Sequence, residues 1–149
     1  PPPPPTLPAT PKGILSLLKY YRIPIKGQHV VIINDSYLVG RPLAHLVSAM
    51  GGTATICNRH TPDLSRHVSQ ADILVTATGH QDLLQPEDIA NTPAIIDVGI
   101  HRDSEGTLSG DIYHKELEYD GLITPVPGGV GPLTVACLIE NLHVLKSTY

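Results

Sequence analysis

At 149 residues, 41% of them hydrophobic and 16% charged, the chain is long enough to bury one substantial core and too short for two domains of ordinary size. Ten basic side chains stand against fourteen acidic ones, a formal net charge of −4, so no positive field is available for a nucleic acid backbone or an anionic membrane. No apolar run approaches the roughly 20 residues that cross a bilayer, and the sequence does not open on the charged, apolar and small-residue succession of a signal peptide. These features lead us to expect a soluble, cytoplasmic protein whose partner is a small molecule. Cys57 and Cys137 both sit in apolar runs, which suits reduced buried thiols rather than a disulfide framework or a zinc site.

Residues 1–9 begin with a run of prolines, which donate no backbone hydrogen bonds and cannot enter a helix, so the stretch reads as a polyproline tail. From Thr10 onward the pattern is that of one domain. Thr10 can cap a helix, Pro11 suits a first helical position, and Ile14, Leu15, Leu17, Leu18 and Tyr21 recur at helical spacing, which predicts a helix over residues 11–22. After Gly27 the run His29-Val30-Val31-Ile32-Ile33 is continuous rather than alternating, as in a strand buried on both faces. Residues 42–50 read as a helix stopped by Gly51 and Gly52, residues 53–57 as a strand rich in β-branched side chains, and Thr61-Pro62 as the start of a short helix reaching residue 70. A strand over 73–78, a short helix over 86–90 and a strand over 94–99 follow. Ser104-Glu105-Gly106 marks a turn, residues 112–119 are ambiguous, a last strand covers 122–124, and a helix runs over 132–146. Strands alternating with helices predict an α/β domain, a Rossmann-like parallel sheet with helices on both faces.

In such a sheet, ligands bind where the carboxyl ends of the strands open into a crevice. The loop after the first strand reads Asn34-Asp35-Ser36-Tyr37-Leu38-Val39-Gly40-Arg41-Pro42, and a helix starting at Pro42 would present unpaired N–H groups to an anion. The three-glycine dinucleotide fingerprint is missing, however, so spacing alone leaves phosphate binding and an ordinary loop equally open. At the end of the second strand, where NAD-binding folds place an acid on the ribose 2′-hydroxyl, stand Asn58, Arg59 and His60. A guanidinium there suits a 2′-phosphate through its planar donors; the plain alternative is a solvated surface arginine. Residues 123–132 mix prolines that stiffen the chain with glycines that let a backbone approach a ligand, just before a helix whose positive end points the same way. A rigid turn is the alternative there. The histidines form no helical pair around a glutamate, no phosphate loop ends in Lys-Ser or Lys-Thr, and no serine sits in a nucleophile elbow, which sets metal-dependent hydrolysis, phosphoryl transfer and serine hydrolysis aside. Asp97 and Asp111 are candidate paired carboxylates, but Asp97 closes a buried strand where it would bond loop amides, so neither is given a catalytic role.

Taken in order, Thr10-Pro11-Lys12-Gly13, Ser36 with Val39-Gly40-Arg41-Pro42, Ala71-Asp72-Ile73, Asp97-Val98-Gly99-Ile100, Gly110-Asp111-Ile112 and the loop of residues 123–132 resemble the bifunctional methylenetetrahydrofolate dehydrogenase/methenyltetrahydrofolate cyclohydrolases. The resemblance covers nearly everything after the proline tail and implies the C-terminal NAD(P)-binding domain of such an enzyme, spanning residues 10–149. In the family, the complete enzyme oxidises 5,10-methylenetetrahydrofolate with NAD(P)+ and hydrolyses the methenyl product to 10-formyltetrahydrofolate. The resemblance implies dinucleotide contacts from Thr10, Asn34, Asp35, Ser36, Arg59, Ile100 and Thr134. It sets Pro127, Gly128, Gly129, Val130 and Gly131 at the folate end of the cleft. The family carries its essential lysine and tyrosine on a preceding domain that residues 1–9 do not supply, so catalytic residues are not assigned and this chain alone is expected to be inactive. Folate would bind in the cleft with that domain, and a homodimer is implied as in the family. Three positions depart from the family pattern: Asn34-Asp35-Ser36 replaces Gly-Arg-Ser, Arg59 replaces a serine, and Ala9 replaces a cysteine. Arg59 argues for NADP and Asp35 for NAD; the expectation is a modest preference for NADP. A free-standing, non-catalytic dinucleotide-binding module is the other reading of function.

Overall fold

The computed structural model describes residues 6–81, 83–112 and 119–148. The proline run and most of the ambiguous stretch, residues 113–118, lie outside the described residues. Helix α1 spans Ala9–Tyr20, so it starts earlier than its pattern suggested. Its N-cap is Pro8, whose carbonyl accepts the Lys12 N–H at 3.0 Å, and Thr10 lies inside the first turn without capping it. Pro11 is tolerated there because the N–H it lacks would have no acceptor within the helix. At the far end Arg22 adopts a left-handed φ of 57°, and the N–H groups of Arg22 and Ile23 return to the carbonyls of Lys19 and Leu18. That closure is the one helices commonly make with glycine. An arginine in its place gives no stop signal, which is why the apolar pattern overran the helix.

Strand β1 (His29–Ile33) runs parallel to β2 (Thr53–Cys57) on one side and β3 (Ile73–Thr76) on the other. β4 (Ala94–Asp97) and β7 (Leu122–Ile123) extend the sheet beyond β3, giving the order β2-β1-β3-β4-β7, parallel throughout. Alternate strand residues feed two apolar layers. Val30, Ile32, Ile73, Val75, Ala94 and Ile96 pack with α1, α2 (Gly40–Ala49) and the start of α5 (Val130–Thr148). On the opposite face Val31, Ile33, Leu74 and Ile95 pack with α3 (Leu64–Val68) and α4 (Pro86–Ile89). Each fully buried Ile, Leu or Val contributes about 2 kcal/mol of transfer free energy, so these layers, and not helix propensity, hold helices as short as α3 and α4. Continuous apolar strands and helices on both faces agree with the α/β reading of the sequence.

The chain leaves the sheet earlier than the apolar runs do. β3 stops at Thr76 and β4 at Asp97: the Ala77 and Val98 N–H groups still donate to strand carbonyls, those of Ile33 and Thr76, but the amides beyond them are claimed by carboxylates, Thr78 N–H by Asp111 and Gly99 N–H by Asp97. The turn at residues 104–106 is present and is organised by Asp103, whose Oδ1 accepts the N–H groups of Glu105 and Thr107 at 2.9 and 2.8 Å. It joins a small antiparallel pair, β5 (His101–Arg102) and β6 (Leu108–Ser109), too short to show any period in the sequence.

Candidate functional site

The chain runs from β1 outward to β2 and then back across β1 to β3, so successive crossovers diverge at the carboxyl ends of β1 and β3, where open α/β sheets bind ligands. A cavity of about 680 Å³ opens there, floored by Ile33, Cys57 and Ala77 and flanked by Asp35, Arg59 and His60. A second cavity of about 480 Å³ lies over the ends of β4 and β7, between Thr10 and Thr134 on the helices and the loops carrying Ile100 and residues 125–129. The seven residues read as dinucleotide contacts therefore divide: Asn34, Asp35, Ser36 and Arg59 line the first cavity, while Thr10, Ile100 and Thr134 line the second. Pro127, Gly128, Gly129, Val130 and Gly131 line the second as well.

The β1–α2 loop folds on its own side chains. Asn34 Oδ1 accepts the Ser36 and Gly40 N–H groups at 2.9 Å each and the Ser36 hydroxyl at 2.6 Å, while Asn34 Nδ2 donates to the Ala77 carbonyl at 2.7 Å. Ser36 Oγ in turn accepts the Val39 N–H at 3.1 Å. Gly40 is required by this closure, since a Cβ there would fall 1.8 Å from the Asn34 carbonyl oxygen. The helix consequently starts at Gly40 and not at Pro42. Its early amides are already used, with Arg41 N–H on the Ser36 carbonyl and Leu43 N–H on that of Val39. The N–H groups of Val39, Gly40, Arg41 and Leu43, expected to be unpaired at this terminus, thus have partners within the loop and first turn.

Asp35 and Arg59 do not pair with one another. Asp35 Oδ1 accepts Arg41 Nε at 2.7 Å and Oδ2 accepts Asn58 Nδ2 at 3.4 Å. The Arg41 guanidinium rests 4.3 Å from the centre of the Tyr37 ring, an added attraction for a cation. The hydrogen bond from Arg41 holds the Asp35 carboxyl below its usual range. Arg59 donates through Nε to His60 Nε2 at 3.2 Å and, among the described residues, forms no ion pair with an acid. Arg41, Asn58 and His60 stand in the motifs quoted from the sequence but were given no role there; what the fold adds is that Arg41 and Asn58 both reach Asp35 and that His60 accepts from Arg59.

In the second cavity Thr134 Oγ1 donates to Thr10 Oγ1 at 3.2 Å, joining α5 to α1. Ile100 is 64% exposed at the rim. Pro127, Gly128 and Gly131 are exposed, whereas Val130 is 2% exposed and packs into the first apolar layer. Gly129 is fixed by the loop itself, because a Cβ would lie 2.4 Å from the Pro125 carbonyl oxygen; at Gly131 a Cβ meets nothing within 4 Å. Beneath the loops, Asp97 is fully buried and accepts the N–H groups of Gly99, Asp111 and Ile112 at 2.9, 3.1 and 2.9 Å. This is the amide-bonding role anticipated for it. Burial pushes its carboxyl up, against the pull of those amides. Cys57 and Cys137 are free and buried, and burial raises the Cys57 thiol.

The strand order, the divergence of the crossovers and the cavities above it define a Rossmann-like α/β domain. Residues 8–148 match the tetrahydrofolate dehydrogenase/cyclohydrolase, NAD(P)-binding domain, and the chain belongs to that family. It is 46% identical over 138 residues to a bifunctional protein FolD of Nitrosospira multiformis, covering 92% of this chain and 48% of that protein. The crystal structure of the FolD methylenetetrahydrofolate dehydrogenase/cyclohydrolase of Campylobacter jejuni superposes with a TM-score of 0.89 at 41% identity, over 96% of this chain and 51% of that one. The Trypanosoma brucei enzyme, solved with NADP cofactor and an inhibitor, gives 0.87 at 34% identity, over 98% of this chain and 52% of that one. This chain thus spans about half the length of the relatives it matches. No helix among the described residues is long and apolar enough to cross a membrane.

Proposed function

We propose that this chain is the cofactor-holding half of a cytoplasmic dehydrogenase/cyclohydrolase that oxidises 5,10-methylenetetrahydrofolate and hydrolyses the methenyl product, with NADP favoured over NAD. The observation that carries the cofactor choice is that Arg41 takes the charge of Asp35. A carboxylate near a ribose repels a 2′-phosphate; one already bonded to a guanidinium repels it far less. Arg59 then remains in the first cavity as a planar donor suited to that phosphate. The apolar lining of the second cavity, with Val98, Ile100 and Val126, fits a nicotinamide ring, which accepts the hydride when the cofactor is bound. The chain's own contribution is to position that ring and to exclude water around it.

Thr10, Thr134 and Ile100 hold the ring end, Asn34 and Ser36 shape the loop, and residues 127–131 border the folate side. On this reading proton transfer and substrate orientation fall to the half of the relatives that this chain does not match, placed across the cleft from it. The exposed apolar side of α5, where Val135, Leu138, Ile139 and Leu142 are 52–62% exposed, supports a partner on that flank, continuous with the second cavity at Val135.

Calorimetric titration of NADP and NAD tests the assignment. Wild type should favour NADP by about fivefold, near 1 kcal/mol for an exposed charge contact, and Arg59→Ala should remove the preference. Tighter binding of NAD, indifferent to Arg59→Ala, would mean that Asp35 reads a free ribose hydroxyl.

A further inference from the structure

Four strand-end loops meet at two buried carboxylates that the proposed chemistry does not use. Asp111 is 1% exposed. Its Oδ2 accepts the Thr78 N–H at 2.7 Å and the Thr78 hydroxyl at 3.0 Å, and its Oδ1 accepts the Gly79 N–H at 3.1 Å and lies 3.1 Å from His101 Nε2. Its own N–H donates to Asp97 Oδ1 at 3.1 Å. Asp97 carries the connection onward: Oδ1 accepts the Gly99 N–H, and its N–H donates to Thr124 Oγ1 at 2.8 Å. Ala77 and Thr78 line the first cavity; Gly99, Leu108 and Pro125 line the second. One hydrogen-bonded unit therefore ties the wall of each cavity to the wall of the other.

The sequence sets two glycines aside for this unit. A Cβ on Gly99 would fall 2.0 Å from Asp111 Oδ1, and one on Gly110 would fall 2.1 Å from Asp97 Oδ2. Each glycine clears the approach of a carboxylate contributed by a different loop. Burying two neighbouring carboxylates costs several kcal/mol per ion before their partners are counted, and apolar side chains would fill the same volume at less cost. What the carboxylates provide in return is fixed spacing, since backbone amides held at about 3 Å tolerate little displacement.

We propose that Asp111, acting through Asp97, is a positioning residue that fixes the separation of the two cavities so that both ends of one dinucleotide are held at once. The inference rests on the dinucleotide reading above. A linked ligand gains affinity over its halves only when its two subsites stand at the separation the linker spans. Loosening the carboxylate unit therefore weakens the whole cofactor while leaving a ligand of one cavity untouched. A purely structural role would lower thermal stability and weaken both ligands alike, or neither.

The test uses NADP and adenosine 2′,5′-bisphosphate, a probe that lacks the nicotinamide half and so on this proposal reaches only the first cavity, titrated into wild type, Asp111→Asn and His101→Ala, with a thermal melt of each. Asp111→Asn removes one acceptor oxygen and should lose about tenfold in NADP affinity and less than about twofold for the bisphosphate. His101→Ala cuts only the arm to the β5–β6 pair and should lose about threefold for NADP alone, which decides the question if Asp111→Asn fails to melt cooperatively. Equal losses for both ligands, or none for either, in a folded variant would overturn the positioning role while leaving the dinucleotide reading intact. A wild-type chain that binds neither ligand would remove both.

Discussion

Arg41 reaches back to Asp35 from the first turn of α2, with its guanidinium against the Tyr37 ring. The contact is solvent exposed, so its effect on stability is small; its consequence lies in which charge faces the first cavity. Arg41→Ala should release Asp35 into the cavity and lower the ratio of NADP to NAD affinity by about fivefold, without a measurable change in melting temperature. Since the Asp35 carboxyl is held below its ordinary range by Arg41, its contribution is present above the unfolded carboxylate range and is lost only as pH falls through the lowered value. Between pH 5 and 8 Asp35 stays charged. Titrations of NADP into wild type and Asp35→Asn across that window should therefore show the same pH dependence.

At the scale of elements, the glycines of the strand-end loops separate into those the fold needs and those the cleft needs. Gly40→Ala forces a methyl into the Asn34 carbonyl and should cost about 3 kcal/mol in denaturant unfolding, at the upper end of overpacking penalties. Gly129→Ala meets Pro125 in the same way and should also destabilise, so it does not report on ligand approach. Gly131→Ala meets no protein atom within 4 Å. It should keep wild-type stability and weaken NADP binding by severalfold, which paired melts and titrations would establish. Gly129 and Gly131 look alike in the sequence as punctuation in one Pro/Gly-rich loop, and Gly40 as a lone glycine before a helix; only the atoms facing each absent Cβ tell which of the three the fold requires. The same holds for helix starts. Pro42 and Pro132 are compatible with a first helical position, yet α2 starts at Gly40 and α5 at Val130, because proline is equally tolerated anywhere in a first turn.

For the molecule as a whole, the two apolar layers predict independent folding: the 149-residue chain should melt in one cooperative transition, with calorimetric and van't Hoff enthalpies equal. The α5 flank predicts association with a second domain. Leu138→Glu with Leu142→Glu should leave the melt unchanged, since both side chains are more than half exposed, and should prevent recovery of methylenetetrahydrofolate oxidation when the chain is mixed with the folate-binding half of a relative. The unmodified chain by itself should show no turnover, and turnover by a purified sample would refute the division of labour between the halves.

By itself the sequence determined the class of fold and the family, because continuous apolar strands, helical spacing and the ordered motifs from Thr10 to Pro132 are local properties of the chain. It also named the strand-end loops that the fold brings around two cavities, since in a parallel sheet the loops after the strands gather at their carboxyl ends. Only the tertiary structure decided how the charges are shared. Asp35 to Arg41, Arg59 to His60, and Asp111 to Thr78, Gly79 and His101 are choices among partners that sequence distance does not rank. An acid bonds whichever donor the folded backbone brings within about 3 Å, and that proximity is set by packing across several loops at once.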